Sequence, residues 1–256
     1  MSALLEVRGL TKAFGGLVAV NEFNLALEPG ALCGLIGPNG AGKTTVFNLV
    51  TGMYRPTAGT IRLEDRDISG LAPFRIYQRG IARTFQNIRL FRGLSVLDNV
   101  RVAYHHRGEA GVLATVLRLP RFAREERTAT ERARDVLSVL GLESCADELA
   151  RNLPYGAQRR VEIARALVAE PKLLLLDEPA AGMNPSEVEH LMELIQFIHE
   201  RFHLTVLLIE HQMRVVMGVC RRVVVMDFGT VIAEGRPEEV QRNPKVVEAY
   251  LGKVEA

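Results

Sequence analysis

The sequence predicts an α/β fold: a mostly parallel sheet, an N-terminal antiparallel β part and an inserted helical subdomain. Three observations carry this. The short stretches 31–36, 172–177 and 204–209, apolar over most of their length, have the length and texture of strands buried on both faces. Helical patterns separate the last two, as a crossover between parallel strands requires. Ahead of them, Leu5-Glu6-Val7-Arg8 alternates apolar and polar, as in a half-buried antiparallel strand.

The elements follow in order. Residues 18–27 partly alternate too and read as further antiparallel strand material, and Glu28-Pro29-Gly30 is a turn. The run 31–36 ends in a glycine-rich loop, and a helical pattern extends from Lys43 to about Val50. From 73 to 153 the texture is helical, with Leu97, Val100 and Tyr104 and later Val136, Leu137 and Leu140 at helical spacing. A single domain over 1–256 is expected, with 1–72 and 154–256 as its α/β core and 73–153 as the helical subdomain. Within that insert, Arg118, Arg121, Arg124, Arg127, Arg132 and Arg134 stand against Glu125, Glu126 and Glu131. This reads as a solvated helix with i,i+4 pairs, or alternatively as a contact for anionic lipid headgroups. Residues 156–169 are predicted as a helix. Another is expected from Pro185 to Glu200, with Asn184 as its N-cap and Pro185 in its first turn. Asn243-Pro244 opens a last short helix ending near Leu251.

Composition narrows the function. Of 256 residues, 48% are hydrophobic and 24% charged, which excludes a disordered, collagen-like or disulfide-stapled chain. Lys and Arg total 32 against 30 Asp and Glu, so no strong field marks a dedicated nucleic-acid binder. Apolar runs such as Leu173-Leu174-Leu175-Leu176 are far shorter than the ~18 residues of a membrane span. The chain is therefore not expected to cross a bilayer by itself, though it can sit on a membrane complex. Cys33, Cys145 and Cys220 are scattered and odd in number, which favours a reducing compartment over disulfides or zinc. Cys33, within an apolar run, is expected in the core. Residues 1–10 lack the basic and long apolar regions of a secretory signal.

Gly37-Pro38-Asn39-Gly40-Ala41-Gly42-Lys43-Thr44 fits the pattern G-x-x-x-x-G-K-[ST] and lies between a predicted strand and a predicted helix. Glycines let the backbone curl so that successive N–H groups point at phosphate oxygens, and the helix adds its positive dipole end. Lys43 reaches the β- and γ-phosphates, the Thr44 hydroxyl holds Mg²⁺, and Thr45 closes the nucleotide-binding run. The second half is Leu173-Leu174-Leu175-Leu176-Asp177-Glu178-Pro179, a buried strand that delivers two carboxylates to its C-terminal edge. Asp177 is placed to orient Mg²⁺, and Glu178 to orient the attacking water or take its proton.

With four further markers, these residues resemble the ATP-binding subunit of an ABC transporter, whose core is a P-loop ATPase. Gln86 in Thr84-Phe85-Gln86-Asn87 is similar to the family's Q-loop glutamine. Leu153-Pro154-Tyr155-Gly156-Ala157-Gln158-Arg159-Arg160 occupies the place of the LSGGQ signature. Ala180-Ala181-Gly182-Met183-Asn184 resembles the D-loop, and His211 in Ile209-Glu210-His211 the switch histidine. The resemblance implies that Phe14 stacks on adenine and that Gln86 senses the γ-phosphate or Mg²⁺. It implies also that His211 reaches the γ-phosphate, and that Tyr155 and Gly156 face the nucleotide of a partner subunit. ATP and Mg²⁺ are the implied ligands. The signature departs from the family pattern: Pro154 replaces its serine, Tyr155 its first glycine and Ala157 its glutamine, while Gly156 is retained. Asn184 stands where the D-loop has aspartate.

These departures, with Arg83-Thr84-Phe85-Gln86-Asn87-Ile88-Arg89-Leu90-Phe91 and Leu208-Ile209-Glu210-His211-Gln212-Met213, resemble the ATPases of branched-chain amino-acid importers. Such importers pair two ATPase subunits with two membrane permease subunits and a periplasmic or extracellular substrate-binding protein. The chain then sits peripherally on the cytoplasmic face of the membrane, in a hetero- or homodimer. The insert around 108–124 matches the longer of the two ATPases. ATPases of urea or amide importers are similar, and a soluble non-transport ABC ATPase is a further alternative. The latter usually has two cassettes or a long coiled coil, which this chain lacks.

Overall fold

The computed structural model describes residues 3–104 and 120–251. The chain forms two compact units, Met1–Arg83 with Lys172–Ala256, and Thr84–Pro171.

The first unit carries two sheets. Strands β1 (Leu5–Phe14), β2 (Leu17–Leu27), β4 (Ala58–Leu63) and β5 (Arg66–Asp67) form an antiparallel sheet in the order β2-β1-β4-β5. The predicted alternation is visible in β1, where Leu5 and Val7 are buried and Arg8 is exposed. The second sheet holds β3 (Leu32–Ile36), β6 (Ile81–Arg83), β7 (Leu173–Asp177), β8 (Thr205–Ile209), β9 (Arg222–Asp227) and β10 (Thr230–Gly235). Its order is β10-β9-β3-β8-β7-β6, and every pairing is parallel except β9 with β10. All residues of β3, β7 and β8 are buried, the texture of strands covered on both faces. The core of this unit joins Val7, Phe23 and Ile61 of the antiparallel sheet to Leu35, Leu175, Leu207 and Val224 of the parallel one. Phe47 packs there too, from helix α1 (Lys43–Val50). Cys33 is buried in this core, as expected, and burial pushes its thiol pKa up to about 12.

Among the described residues, the stretch predicted as helical from 73 to 153 contains one strand. Helix α2 (Pro73–Gln78) is followed by β6, which pairs in parallel with β7 at Ile81↔Leu173. With three residues bounded by Gly80 and Thr84, β6 is too short for periodicity to reveal.

The second unit is helical. Helices α3 (Val96–Tyr104), α4 (Pro120–Val139) and α5 (Tyr155–Leu167) pack together, and Val96 and Val100, Ala133 and Leu137, and Val161 and Ala164 are buried on them. The basic run of α4 carries ion pairs, with Arg121 on Glu125 at 3.6 Å. Arg118 and most of the 108–124 insert lie outside the described residues. Back in the first unit, α6 (Pro185–Phe202) starts with Asn184 as its N-cap, as predicted, accepting from Glu187 N–H; Glu187 accepts in return from Asn184 N–H and completes a capping box that was not foreseen. Helix α7 (Met213–Val219) follows β8, and α8 (Pro237–Gln241) and α9 (Pro244–Leu251) close the described chain.

Candidate functional site

The strand order brings three loops to one sheet edge. β3, β8 and β7 are parallel neighbours, and Leu35 and Asp177 both register with Ile209. The glycine loop leaves the end of β3, His211 follows β8, and Asp177 and Glu178 end β7. This is the edge where open α/β sheets bind ligands.

Two glycines of the loop are sterically required. Gly37 has φ 150°, and a Cβ there would stand 2.0 Å from the carbonyl oxygen of Met226. Gly42, φ 101°, would meet the Ala19 oxygen at 2.4 Å. The loop is further held by Gly229 N–H donating to Ala41 O at 3.1 Å. Helix α1 starts without a side-chain cap, so its first-turn amides and dipole serve the loop concavity. Lys43 is buried, and its Nζ donates to Gly37 O at 2.7 Å and Pro38 O at 2.8 Å. Burial pushes its ammonium pKa below the usual 10.5, and the carboxylates of Glu178 and Asp177 partly oppose that shift. Thr44 is exposed and Thr45 half-buried in the same turn.

At the strand end, Asp177 Oδ2 accepts from Arg83 Nη2 at 2.6 Å in an almost fully buried ion pair. Arg83 Nη1 donates to Asn48 Oδ1 on α1 at 2.7 Å. Sequence reasoning gave Arg83 no role. A charged residue directly after apolar Ile81-Ala82 and one step ahead of Thr84-Phe85-Gln86 was the available signal.

Glu178 has φ 46°, a left-handed conformation that non-glycine residues take at a cost and that clusters at functional sites. Its N–H donates to Ile209 O at 2.9 Å, and its Oε1 lies 2.5 Å from His211 Nε2. Phe14, at the end of β1, is 42% exposed and not a core residue. Its ring meets Tyr54 edge-on at 5.2 Å, and Lys12 Nζ lies 4.9 Å from its centroid.

Gln86, Tyr155 and Gly156 belong to the second unit, where one network joins the Gln86 backbone to the Tyr155 hydroxyl. Arg159, with no exposed surface, donates to Phe85 O at 2.7 Å, Gln86 O at 2.8 Å and the Tyr155 hydroxyl at 3.2 Å. It also pairs with buried Glu162 at 2.7 Å. Glu162 Oε1 in turn accepts from Phe85 N–H at 3.2 Å and Arg89 N–H at 3.4 Å. Burial raises the Glu162 pKa, while Arg159 and the two amides pull it back. The Gln86 segment is therefore bolted to the first two turns of α5. Sequence reasoning gave Arg159 and Glu162 no role; their i,i+3 spacing on a predicted helix was the available signal, and their partners lie 73 to 77 residues upstream. Pro154 is the N-cap of α5 and supplies no side-chain hydrogen bond.

Strand, glycine loop, helix and acidic strand end, at the C-terminal edge of a parallel sheet, define a nucleotide-binding α/β domain of the phosphate-loop class. Comparison with known proteins makes this specific. A family model described as ABC transporter matches residues 20–181, and one described as branched-chain amino acid ATP-binding cassette transporter matches residues 230–256. The chain belongs to the ABC transporter family, as one of its ATP-binding subunits. It is 49% identical to the high-affinity branched-chain amino acid transport ATP-binding protein LivG of Escherichia coli (strain K12), over 97% of this chain and 98% of that one. It is 47% identical to the corresponding protein BraF of Pseudomonas aeruginosa, with the same coverage. A solved ADP conformation of an ATP-binding cassette of an ABC transporter superposes with TM-score 0.85 at 32% identity, covering 99% of this chain and 100% of that one. Among the described residues, no helix is long and apolar enough to cross a membrane.

Proposed function

We propose that this chain hydrolyses ATP to energise uptake of branched-chain, nonpolar amino acids by an ABC importer. The observation that supports the cargo is the 49% identity to LivG along nearly the whole of both chains, together with the branched-chain family match at 230–256. For the chemistry, it is the meeting of Glu178 and His211 at 2.5 Å on the sheet edge that carries the glycine loop.

In this reading the N–H groups of 37–42 and the α1 dipole hold the phosphates of ATP, and Lys43 exchanges its carbonyl partners for phosphate oxygens. Phe14 offers its ring to adenine. Glu178 orients the attacking water or takes its proton. His211 Nε2, which donates to Glu178 here, is the donor offered to the γ-phosphate. Mg²⁺ takes few protein oxygens and keeps waters and phosphate oxygens. In the first unit the Thr44 hydroxyl and the Asp177 carboxylate suit it, and the ion would neutralise developing charge. Tyr155 and Gly156 face the nucleotide of a second ATPase subunit, so that ATP binds the closed pair better than the open one and drives closure.

Two permease subunits anchor the pair on the cytoplasmic face of the membrane, and a periplasmic or extracellular binding protein delivers the cargo to them. The segment 87–104 is the surface offered to the permeases. Phe91 and Leu94 are exposed there, while buried Asn99 braces the loop through Phe91 N–H, Phe91 O and Ser95 O. Uptake of labelled leucine and of labelled urea, in cells lacking the chain and in cells restored with wild type or Glu178→Gln, tests this. Leucine uptake should vanish and return only with wild type. Loss of urea uptake instead would move the assignment to an amide importer.

A further inference from the structure

We infer that Glu210 is a positioning residue for hydrolysis: its buried carboxylate ties the turn after β7 to the turn after β8 and so sets Glu178 against His211. Glu210 is only 2% exposed and sits at the end of β8, directly before His211. Its Oε1 accepts from Ala180 N–H at 2.8 Å, two residues beyond Glu178. Its Oε2 accepts from the N–H groups of His211 at 2.9 Å and Gln212 at 3.2 Å. The Gln212 side chain returns the tie by donating to Ala180 O at 3.2 Å. Each oxygen thus serves a different loop.

The consequence is geometric. Beyond the last strand register, Asp177↔Ile209, the two chains are held by Glu178 N–H to Ile209 O and then by Glu210. Glu178 is in a left-handed conformation that its surroundings must impose, and the turn through Ala180 and Ala181 is part of what imposes it. Carboxylate-to-amide bonds in a buried site are charge-assisted and stiff. Releasing one loop lets the Glu178–His211 contact drift without disturbing the glycine loop or Lys43.

This rests on the proposed roles of Glu178 and His211, and the experiment separates the two claims. Glu210→Gln preserves volume but offers only one acceptor oxygen, so an amide NH₂ must face the N–H groups of one loop. With the full chain in its purified transport complex, ATP turnover should fall about 10- to 100-fold, as misplacing a reacting group costs. KM and the dissociation constant of ATP should stay within about twofold, as expected when the lost interaction matters in the transition state. Combined with His211→Ala, Glu210→Gln should add little further loss, because it acts through that pair. Unchanged turnover, parallel loss of turnover and ATP binding, or losses that multiply in the double variant would each overturn the inference. If Glu178→Gln and His211→Ala themselves hydrolyse like wild type, the catalytic reading fails and this inference with it. If Glu178→Gln and His211→Ala are inactive while Glu210→Gln is active, only the inference fails. Should Glu210→Gln not fold, Gln212→Ala, which removes only the return tie to Ala180 O, should lower turnover with unchanged ATP binding. Unchanged turnover there would overturn the inference.

Discussion

Lys43 is a cation removed from water and satisfied by two loop carbonyls, Gly37 O and Pro38 O. That arrangement makes its protonation sensitive to what enters the loop. Burial already holds its pKa below 10.5, and phosphate oxygens beside it would raise it again. The ATP-bound state therefore holds the proton more tightly than the free state. ATP affinity should be full below the depressed pKa of the free protein and fall as pH rises through it. Binding in that alkaline window should take up protons, readable by calorimetry in buffers of different ionisation heat. No uptake would mean that Lys43 is not the ammonium that meets the phosphates. For folding the sign is opposite: between the depressed pKa and 10.5 the unfolded chain holds more protons, so this group's contribution to stability rises with pH. Lys43→Ala should abolish hydrolysis and weaken ATP binding by about 10- to 100-fold, the loss of one charged hydrogen-bonding group. Near-normal turnover of that variant would remove the phosphate-loop assignment.

At the level of elements, the Gln86 segment and α5 act as one piece because Arg159 and Glu162 are buried between them in the second unit. Glu162→Ala leaves a buried guanidinium without its carboxylate. Carbonyls at Phe85 and Gln86 remain as acceptors, so the cost should lie toward the low end of about 3–5 kcal/mol for breaking a buried pair. A thermal or denaturant unfolding curve measures it, and a change under about 0.5 kcal/mol, the usual span of surface substitutions, would show that the pair is not structural. The raised pKa of Glu162 means that burial outweighs the pairing. Its contribution to stability should accordingly decline as pH rises from 4.5 through the raised value. What the sequence revealed divides along the same line. The strand, glycine loop and α1 are contiguous, and so are Asn184 and Pro185 at the start of α6; both were legible as local patterns. Arg83 with Asp177 and Arg159 with Gln86 join residues 94 and 73 positions apart, which no local period encodes. β6 was hidden by its length, and β9, a run of valines at 223–225 between Arg222 and Asp227, lay beyond the motifs that guided the reading.

The whole molecule poses a question its own fold leaves to a partner: what the N-terminus of α5 does. Its N-cap, Pro154, has neither the hydroxyl nor the N–H that a serine would turn toward a phosphate. The 13-residue helix still presents a positive dipole end at Tyr155 and Gly156, and an anion placed there by a second subunit would gain from it. Gly156 keeps that approach open to backbone. If the helix completes the partner's ATP site, two variants should separate binding from pairing. Glu178→Gln retains shape but loses the carboxylate, so ATP should bind, turnover should drop by about 100-fold or more, and an ATP-bound pair of ATPase subunits should accumulate. Adding Gly156→Asp puts a carboxylate where the partner's γ-phosphate should lie. The pair should then disappear from gel filtration in ATP, while ATP bound to this chain's own glycine loop persists by equilibrium dialysis. Pro154→Ser in the same background should keep the pair, since it supplies a donor instead of a charge. A Gly156→Asp protein that still pairs and, with Glu178 intact, hydrolyses normally in the complex would show that residues 153–160 do not complete a partner's ATP site.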